Sequence, residues 1–161
     1  MPTNIVKITI SNKEINRFAL VLWFSGCDMN CSGCHNETLK KEQKGYTMKE
    51  LREILVPRKE ITDYCVFMGG EPLRDPRMFL DVARLTKELG FINVLFTGQV
   101  DTPPELLLDV DFIKEGGYFQ EKRKEGFKLA SSNQVLSRVD QGVKTAIYYV
   151  ENDMVVGKYQ I

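Results

Sequence analysis

The stretch RFALVLWFSGCDMNCSGCHN, residues 17–36, joins an apolar run to a loop that carries three of the four cysteines and the one histidine of the chain. The run ends at Ser25–Gly26, and its unbroken apolar character predicts a buried β-strand. Cys27, Cys31 and Cys34 follow with the spacing C-x3-C-x2-C. The sequence therefore predicts a thiol-rich loop at the carboxyl end of a buried strand.

The same order of strand, loop and helix recurs further along the chain. Such alternation favours a parallel sheet with right-handed crossovers, and strands that are apolar on both faces suit a sheet covered by helices. The predicted fold class is therefore α/β. The strands are predicted in DYCVFMGGEP (63–72), FINVLFTGQ (91–99) and VDFIKEGG (110–117), and the helices in YTMKELREILVP (46–57) and DPRMFLDVARLTKELG (75–90).

The ends of both helices carry recognisable signals. Thr47 and Glu50 form a capping box at the start of the first helix, and Pro57 is predicted to stop it. Asp75 is the predicted N-cap of the second helix, and Gly90 is its predicted end. Beyond these, TPPELLLDV (102–110) predicts a short helix. Short strands are predicted in VLSRVD (135–140), TAIYYV (145–150) and MVVGKY (154–159), the last two joined by a hairpin at ENDM (151–154).

Four polar, glycine-bearing loops directly follow predicted strands. Parallel α/β sheets bind ligands at the carboxyl edge of their strands, so these loops are expected to converge on one site. They are SGC (25–27), GGEP (69–72), TGQ (97–99) and KEGG (114–117).

Composition and charge exclude several classes of function. The chain of 161 residues favours one domain, and its formal net charge of zero gives no argument for nucleic acid or an acidic membrane. The longest apolar run is far shorter than the roughly 20 residues that span a bilayer. The start, MPTNIVKITI, predicts no signal peptide. Four cysteines in such a chain indicate a cytoplasmic protein whose clustered thiols bind metal or do redox work.

An iron–sulfur cluster fits the thiol loop better than zinc does. A structural zinc site needs a fourth ligand, but His35 directly follows Cys34, and Cys65 lies in an apolar strand and is expected to be a core residue. A catalytic zinc with three ligands and water stays open, although no base stands beside it. A 4Fe–4S cube held by three thiolates leaves one iron for a small molecule.

The cysteine spacing and a second motif together resemble the radical SAM superfamily. C-x3-C-x2-C is its first signature, and Gly69-Gly70-Glu71 after the next strand matches its GGE motif. WFSGCDMNCSGCHN, MGGEPL, FTGQ, VDFIKEGGYF and SSNQ are similar to the small activating proteins of anaerobic ribonucleotide reductase, from about Arg17 to Gln134. The resemblance implies one radical SAM domain over residues 1–161, with a core of about 17–134 and C-terminal strands in 135–161. The implied fold is a compact partial (β/α) barrel of parallel strands, with cluster and cofactor at their C-terminal edge.

The resemblance also implies the site. Cys27, Cys31 and Cys34 hold the 4Fe–4S cluster, and S-adenosylmethionine chelates the open iron. The residues implied in cofactor binding are Gly33, His35, Asn36, Gly69, Gly70, Glu71 and Thr97.

Several of these roles have alternatives. Glu71 either accepts from the methionine ammonium or fixes its own loop, and Thr97 belongs either to the cofactor site or to an ordinary turn. His35 is equally a capping histidine, and Lys114 either meets the cofactor carboxylate or is a surface lysine. In the last loop, Glu115 stands where the family often has aspartate.

The implied activity is reductive cleavage of S-adenosylmethionine to a 5′-deoxyadenosyl radical, which generates a glycyl radical on the large subunit of anaerobic ribonucleotide reductase. A one-electron donor such as a flavodoxin or ferredoxin would supply the electron. The alternatives are an activase of another glycyl-radical enzyme, a small-molecule radical SAM enzyme, an iron–sulfur electron carrier and a zinc-bound interaction module.

Overall fold

Eight β-strands form one mixed sheet, in which the strands lie in the order of the sequence. The computed structural model describes residues 2–27, 37–119, 122, 132–151 and 154–157. The strands are β1 (Ile5–Ser11), β2 (Ala19–Phe24), β3 (Tyr64–Gly69), β4 (Ile92–Thr97), β5 (Phe112–Glu115), β6 (Val135–Asp140), β7 (Val143–Glu151) and β8 (Met154–Gly157). The α-helices of the described residues are α1 (Met48–Arg58) and α2 (Pro76–Glu88).

The centre of the sheet is parallel and its two sides are antiparallel. The strands β2, β3, β4 and β5 pair in parallel, with Val21 opposite Val66 and Val66 opposite Val94. The strand β1 pairs antiparallel with β2, and β5 to β8 form antiparallel pairs. The predicted α/β class is confirmed. The described sheet is mixed, so the predicted barrel of parallel strands is not confirmed.

The two faces of the sheet belong to different apolar clusters. On one face, buried side chains of α1 and α2 such as Leu51 and Phe79 pack against strand residues such as Phe67. The ring of Phe67 meets that of Phe79 edge-on at 5.7 Å between centroids. On the other face, Ile15 from the β1–β2 connection packs against Val66 and its neighbours. The strands are thus apolar on both faces, as expected.

Helix α1 begins as predicted and ends slightly later. The Thr47 side chain accepts from Glu50 N, and the Glu50 side chain accepts from Thr47 N, which completes the capping box. Pro57 was predicted to stop the helix, but it lies within it, and Arg58 is the last helical residue. Pro57 has no N–H to donate to the carbonyl four residues before it, and the helix ends one residue after it.

Helix α2 has the predicted ends. Asp75 Oδ1 accepts from Met78 N at 3.2 Å, and Pro76 occupies the first turn. Gly90 follows the helix with a φ of 92°, which is the left-handed conformation that favours glycine. The strong cap signals explain why this helix was the clearest one in the sequence.

One other prediction needs correction, and one strand was not predicted. The segment predicted as a short helix in residues 102–110 contains only a single 3-10 turn, Pro104–Leu106. The strand β1 was not predicted, although the stretch IVKITI alternates apolar and polar residues. Among the described residues, neither α-helix has the length and apolar composition that would let it cross a membrane.

The C-terminal strands form antiparallel pairs. The strand β6 lies against β5, with Ile113 opposite Ser137, and β7 lies against β6. The predicted pairing of the last two strands is confirmed, since Val150 faces Val155 across β7 and β8. These strands extend the parallel centre on the side away from β1.

Candidate metal centre and cofactor site

The cysteine loop is closed at its base by backbone hydrogen bonds. Gly26 N donates to the carbonyl of Leu39 at 2.7 Å, and Cys27 N donates to the carbonyl of Lys40 at 2.8 Å. We call these two residue pairs the loop stem. Cys27 is half-buried there. The first predicted ligand is therefore fixed directly beyond the end of β2.

The arm that returns from the loop is held by the N-terminal segment. Thr3 N donates to the carbonyl of Tyr46 at 2.7 Å, and Tyr46 N donates to the carbonyl of Ile5 at 2.9 Å. A Cβ at Gly45 would overlap the carbonyl of Ile5. The unpredicted strand β1 thus begins with a segment that positions the loop.

Ser25 connects the same elements from inside. It is fully buried, and its Oγ accepts from Gln43 N at 2.8 Å. Its backbone N donates to the carbonyl of Asn4 at 2.8 Å, and Asn4 Nδ2 donates to the carbonyl of Ser25 at 2.7 Å. The residue two before the first predicted ligand is therefore bound on both sides.

The two glycines of the GGE motif lie directly against the loop stem. Gly70 N donates to the carbonyl of Phe24 at 2.6 Å, and Glu71 N donates to the carbonyl of Gly26 at 2.7 Å. A Cβ at Gly70 would lie 2.6 Å from Gly26 O. Gly69 has a φ of 117°, where a side chain is strained. Both positions need glycine so that the two motifs can come together.

Glu71 ties its loop to the end of the next strand. The side chain is 4% exposed, and its Oε2 accepts from Thr97 Oγ1 at 2.7 Å and from Leu73 N at 2.9 Å. Its Oε1 accepts from Gly98 N at 2.8 Å. The Thr97 hydroxyl also accepts from Gln99 N at 3.1 Å. Two roles were considered for Glu71, and these contacts are the ones expected if it fixes its own loop.

Burial sets the protonation behaviour of Glu71. Desolvation raises the pKa of the carboxyl, while the hydrogen bonds from Leu73 N, Thr97 Oγ1 and Gly98 N act in the opposite direction and lower it. The net shift of the pKa is upward. The donors thus offset the desolvation of this carboxylate only in part.

The end of β5 joins the same set of loops. Gly116 N lies 3.1 Å from the carbonyls of both Thr97 and Gln99. Gln134 Nε2 donates to the carbonyl of Gly116, and Asn133 Nδ2 donates to that of Gly117, each at 2.9 Å. Two residues of the SSNQ segment, which had no derived role, therefore bind the backbone of the fourth strand-end loop. All four glycine-bearing loops are connected, as the sequence predicted.

Glu115 was noted in the sequence only as a departure, and the structure gives it a specific place. It is 8% exposed, and its Oε2 accepts from Thr102 N at 2.8 Å. Lys144 Nζ lies 3.0 Å from Oε1 and 3.1 Å from Oε2. This ion pair connects β5 to β7. Its sequence signal was weak because the partners are far apart in the chain.

Lys114 points to the other side of the sheet from Glu115. Its Nζ lies 3.9 Å above the centroid of the Phe96 ring. Desolvation lowers its pKa to about 8, although the charge of Glu14 acts in the opposite direction. Lys114 is half-buried, and the two roles considered for it stay predictions.

The structure brings several predicted site residues together and leaves others outside its description. The cysteine-loop stem with Cys27, the Gly69-Gly70-Glu71 loop and Thr97 form one hydrogen-bonded edge. The predicted residues outside the described part of the chain are Cys31, Gly33, Cys34, His35 and Asn36. Cys65, by contrast, is fully buried in the core of β3, as expected.

Of the three predicted cluster ligands, the described residues include Cys27. Cys27 stands at the rim of the parallel centre, and Gly70 brings the next loop against the stem without a side chain between them. Three thiols in one loop are the donor set that an iron–sulfur cube takes. These features agree with a cluster held beyond the end of β2.

Comparison with known proteins decides the family. The chain matches the family of 4Fe-4S single cluster domains over residues 16–137. The chain belongs to this family. The matched region of the 4Fe-4S single cluster domain runs from before β2 into β6, so it contains the parallel centre and all four connected loops.

Two curated relatives carry the names of activating enzymes. The chain is 30% identical over 148 residues to the pyruvate formate-lyase-activating enzyme of Clostridium pasteurianum, covering 81% of this chain and 60% of that protein. It is 35% identical over 88 residues to a protein of Methanocaldococcus jannaschii assigned as a glycyl-radical enzyme activating enzyme, covering 54% of this chain and 35% of the relative. The chain therefore spans less than two thirds of the length of either relative.

The family match supports the predicted 4Fe–4S cluster. Binding of S-adenosylmethionine stays a prediction. The two relatives support the broader prediction that the chain is related to the activating enzymes of glycyl-radical enzymes.

Proposed function

We propose that this chain is a radical SAM activase that generates a glycyl radical on the large subunit of anaerobic ribonucleotide reductase, in the cytoplasm. The observation that carries the proposal is the contact of the GGE motif with the cysteine-loop stem, in which Gly70 packs on Gly26. Two signatures separated in sequence thereby meet at the edge where a cofactor would bind. The motifs FTGQ, VDFIKEGGYF and SSNQ favour the ribonucleotide reductase activase over other members.

In this proposal the partial barrel is formed by the parallel strands β2 to β5 with their flanking strands. Cys27, Cys31 and Cys34 hold the cluster, and Gly33, His35 and Asn36 contribute to cofactor binding. Gly69 and Gly70 let the backbone approach the methionine end of the cofactor, close to Thr97. Glu71 keeps that backbone in place through its bonds to the end of β4.

When bound, S-adenosylmethionine on a reduced cluster would supply the radical chemistry for abstracting a hydrogen atom from a glycine Cα of the partner. The protein would orient the cofactor and the partner and exclude water from the reaction. Glu71, Thr97, Glu115 and Gln134 are polar residues of the strand-end loops, and each is at most 8% exposed. Glu71 and Thr97 bind one another, and Gln134 binds the backbone of Gly116. Exclusion of water at this edge would protect so reactive a radical from side reactions.

The proposal is tested by anaerobic reconstitution of the cluster. The reduced protein is mixed under argon with S-adenosylmethionine and the large subunit of anaerobic ribonucleotide reductase. We expect 5′-deoxyadenosine in the product mixture and a glycyl doublet by electron paramagnetic resonance. Cofactor cleavage that leaves every reductase preparation without a radical signal would refute the assignment of the partner, while no cleavage at all would refute the activity.

A second candidate is activation of pyruvate formate-lyase, because one relative carries that name. The same assay with pyruvate formate-lyase in place of the reductase separates the two. A glycyl signal on the lyase alone selects the second candidate, and a signal on the reductase alone selects the first.

A further inference from the structure

A lysine-rich surface lies directly against the first predicted cluster ligand. Residues 40–44 carry Lys40, Lys41 and Lys44 against one acid, Glu42. The side chains of Lys41 and Lys44 are exposed. The carbonyl of Lys40 accepts from Cys27 N at 2.8 Å. Positive charge is thus concentrated on the arm that is bonded to the ligand.

Arg74 adds to this surface from the neighbouring loop. Its Nη1 lies 3.3 Å from Glu42 Oε2, so the one acid of residues 40–44 already has a positive partner. The same guanidinium lies across Gly26, since a Cβ built there would be 2.6 Å from Nη1. We call residues 40–44 together with Arg74 the basic arm. With four positive residues and one negative residue, it has a formal charge of +3.

The basic arm contrasts with the loop after β4. Residues 98–112 contain four acids and no lysine or arginine. Asp101 and Glu105 are exposed there, and Asp111 is paired with Lys87. Because the whole chain has no net charge, the two regions give it a charge asymmetry. An acidic protein would be attracted to the side of the chain that carries the basic arm.

We infer that the basic arm is the docking surface of an acidic one-electron donor protein, and this inference rests on the proposed function. The activity needs a single electron per cofactor cleaved, and electron transfer falls steeply with distance. The arm is the described surface that is bonded to Cys27, so a donor on it is close to the cluster. Encounters between electron-transfer proteins use small interfaces and depend on charge.

The electron balance is simple. The donor loses one electron and the cluster gains it, with no bond formed or broken at the docking surface. The donor is a flavodoxin-type protein in its reduced state, whose flavin is oxidised by one electron. Docking therefore affects only the delivery of the electron and leaves cofactor binding unchanged.

The test compares two reductants on two charge-matched variants. The variant K41E/K44E reverses two charges of the basic arm, and the control R84E/R138E reverses two exposed charges on α2 and β6. With reduced flavodoxin at low salt, we expect 5′-deoxyadenosine formation by K41E/K44E to fall about tenfold or more, and the control to stay within about twofold. With photoreduced 5-deazariboflavin, a small neutral reductant, both variants should equal the unchanged protein.

Binding gives a readout that does not depend on turnover. Calorimetric titration of the cluster-loaded protein with flavodoxin should show a Kd that rises with salt, and a Kd about tenfold weaker for K41E/K44E. Equal binding and equal flavodoxin-driven rates for K41E/K44E and the unchanged protein would overturn the inference. A failure of the unchanged protein with 5-deazariboflavin would instead refute the proposed function and, with it, the need for a donor.

Discussion

Glu71 and Thr97 join the ends of β3 and β4 through a 2.7 Å hydrogen bond from Thr97 Oγ1 to Glu71 Oε2. Two backbone groups, Leu73 N and Gly98 N, donate to the same carboxylate. A motif defined in sequence by its glutamate thus acts in the described structure as a link between neighbouring strand ends. The link also orders the Gly70 backbone, which lies against the cysteine-loop stem.

Replacing Glu71 tests this link. Glu71→Ala leaves three donors without their acceptor in a buried place, so we expect a loss of about 1–3 kcal/mol in the free energy of unfolding. Thr97→Val removes only one of the donors and should cost less. Urea unfolding followed by circular dichroism under argon measures both. Equal stability of Glu71→Ala and the unchanged protein would mean that the three bonds contribute nothing.

The pH dependence of stability gives a second prediction for the same residue. Burial raises the folded-state pKa of Glu71 above its usual 4.5, so the folded protein holds this proton at a pH where the unfolded chain has lost it. The stability from this group is therefore fully present below pH 4.5 and is lost as the pH rises through the raised pKa. Unfolding free energies from pH 5 to pH 8 should fall more steeply in the unchanged protein than in Glu71→Gln. Parallel curves for the two proteins would contradict the upward shift.

The sequence predicted the parts of the molecule that depend on local chemistry. The ends of α2 follow from Asp75 and Gly90, and the connected strand-end loops follow from glycines placed after apolar runs. The antiparallel sides of the sheet were harder to predict, since pairing between distant strands is not encoded by any short stretch. Strand β1 is not predicted because its alternation is partial, and Pro57 marks the end of α1 to within one residue.

The candidate site shows the same division. The cysteine spacing and the GGE motif were evident in the sequence, but the contact of Gly70 with Gly26 depends on how two loops fold together. The Glu115–Lys144 pair links residues 29 positions apart, and no motif marks Lys144. Contacts of this kind depend on the register of β5, β6 and β7, which is set by the whole sheet.

Gly70→Ala tests the contact between the two motifs. The new Cβ would lie 2.6 Å from Gly26 O and 2.9 Å from Leu39 O, so the stem must shift. We expect a destabilisation of about 1–3 kcal/mol and iron and sulfide contents reduced at least about twofold after reconstitution. Gly90→Ala is the matched control, since it strains a left-handed residue after α2 but touches only the Lys59 side chain. If both variants keep full cluster content, the packing of the motifs does not position the cluster.

Two cysteine variants separate ligation from packing. Cys27→Ala removes a predicted ligand at the loop stem, so the cluster should be lost or strongly depleted, with little change in the stability of the cluster-free fold. Cys65→Ala should keep the cluster, because Cys65 is fully buried in β3 and burial raises the pKa of its thiol, which disfavours the thiolate that binds iron. Iron analysis and visible absorption measure the outcome. A Cys65→Ala protein without iron would show that the far cysteine is a ligand.

Lys144→Met tests the ion pair that connects β5 to β7. The substitution leaves Glu115 with the backbone donor Thr102 N but without the lysine, in a place where the glutamate side chain is 10% exposed. Removing one partner of a buried pair usually costs more than removing both, so we expect Lys144→Met to lose about 2–4 kcal/mol and Glu115→Gln with Lys144→Met to recover part of it. A double-mutant cycle of thermal unfolding gives the coupling energy. A cycle in which the two effects simply add would show that the 3.0 Å contact between Lys144 Nζ and Glu115 Oε1 does not stabilise the fold.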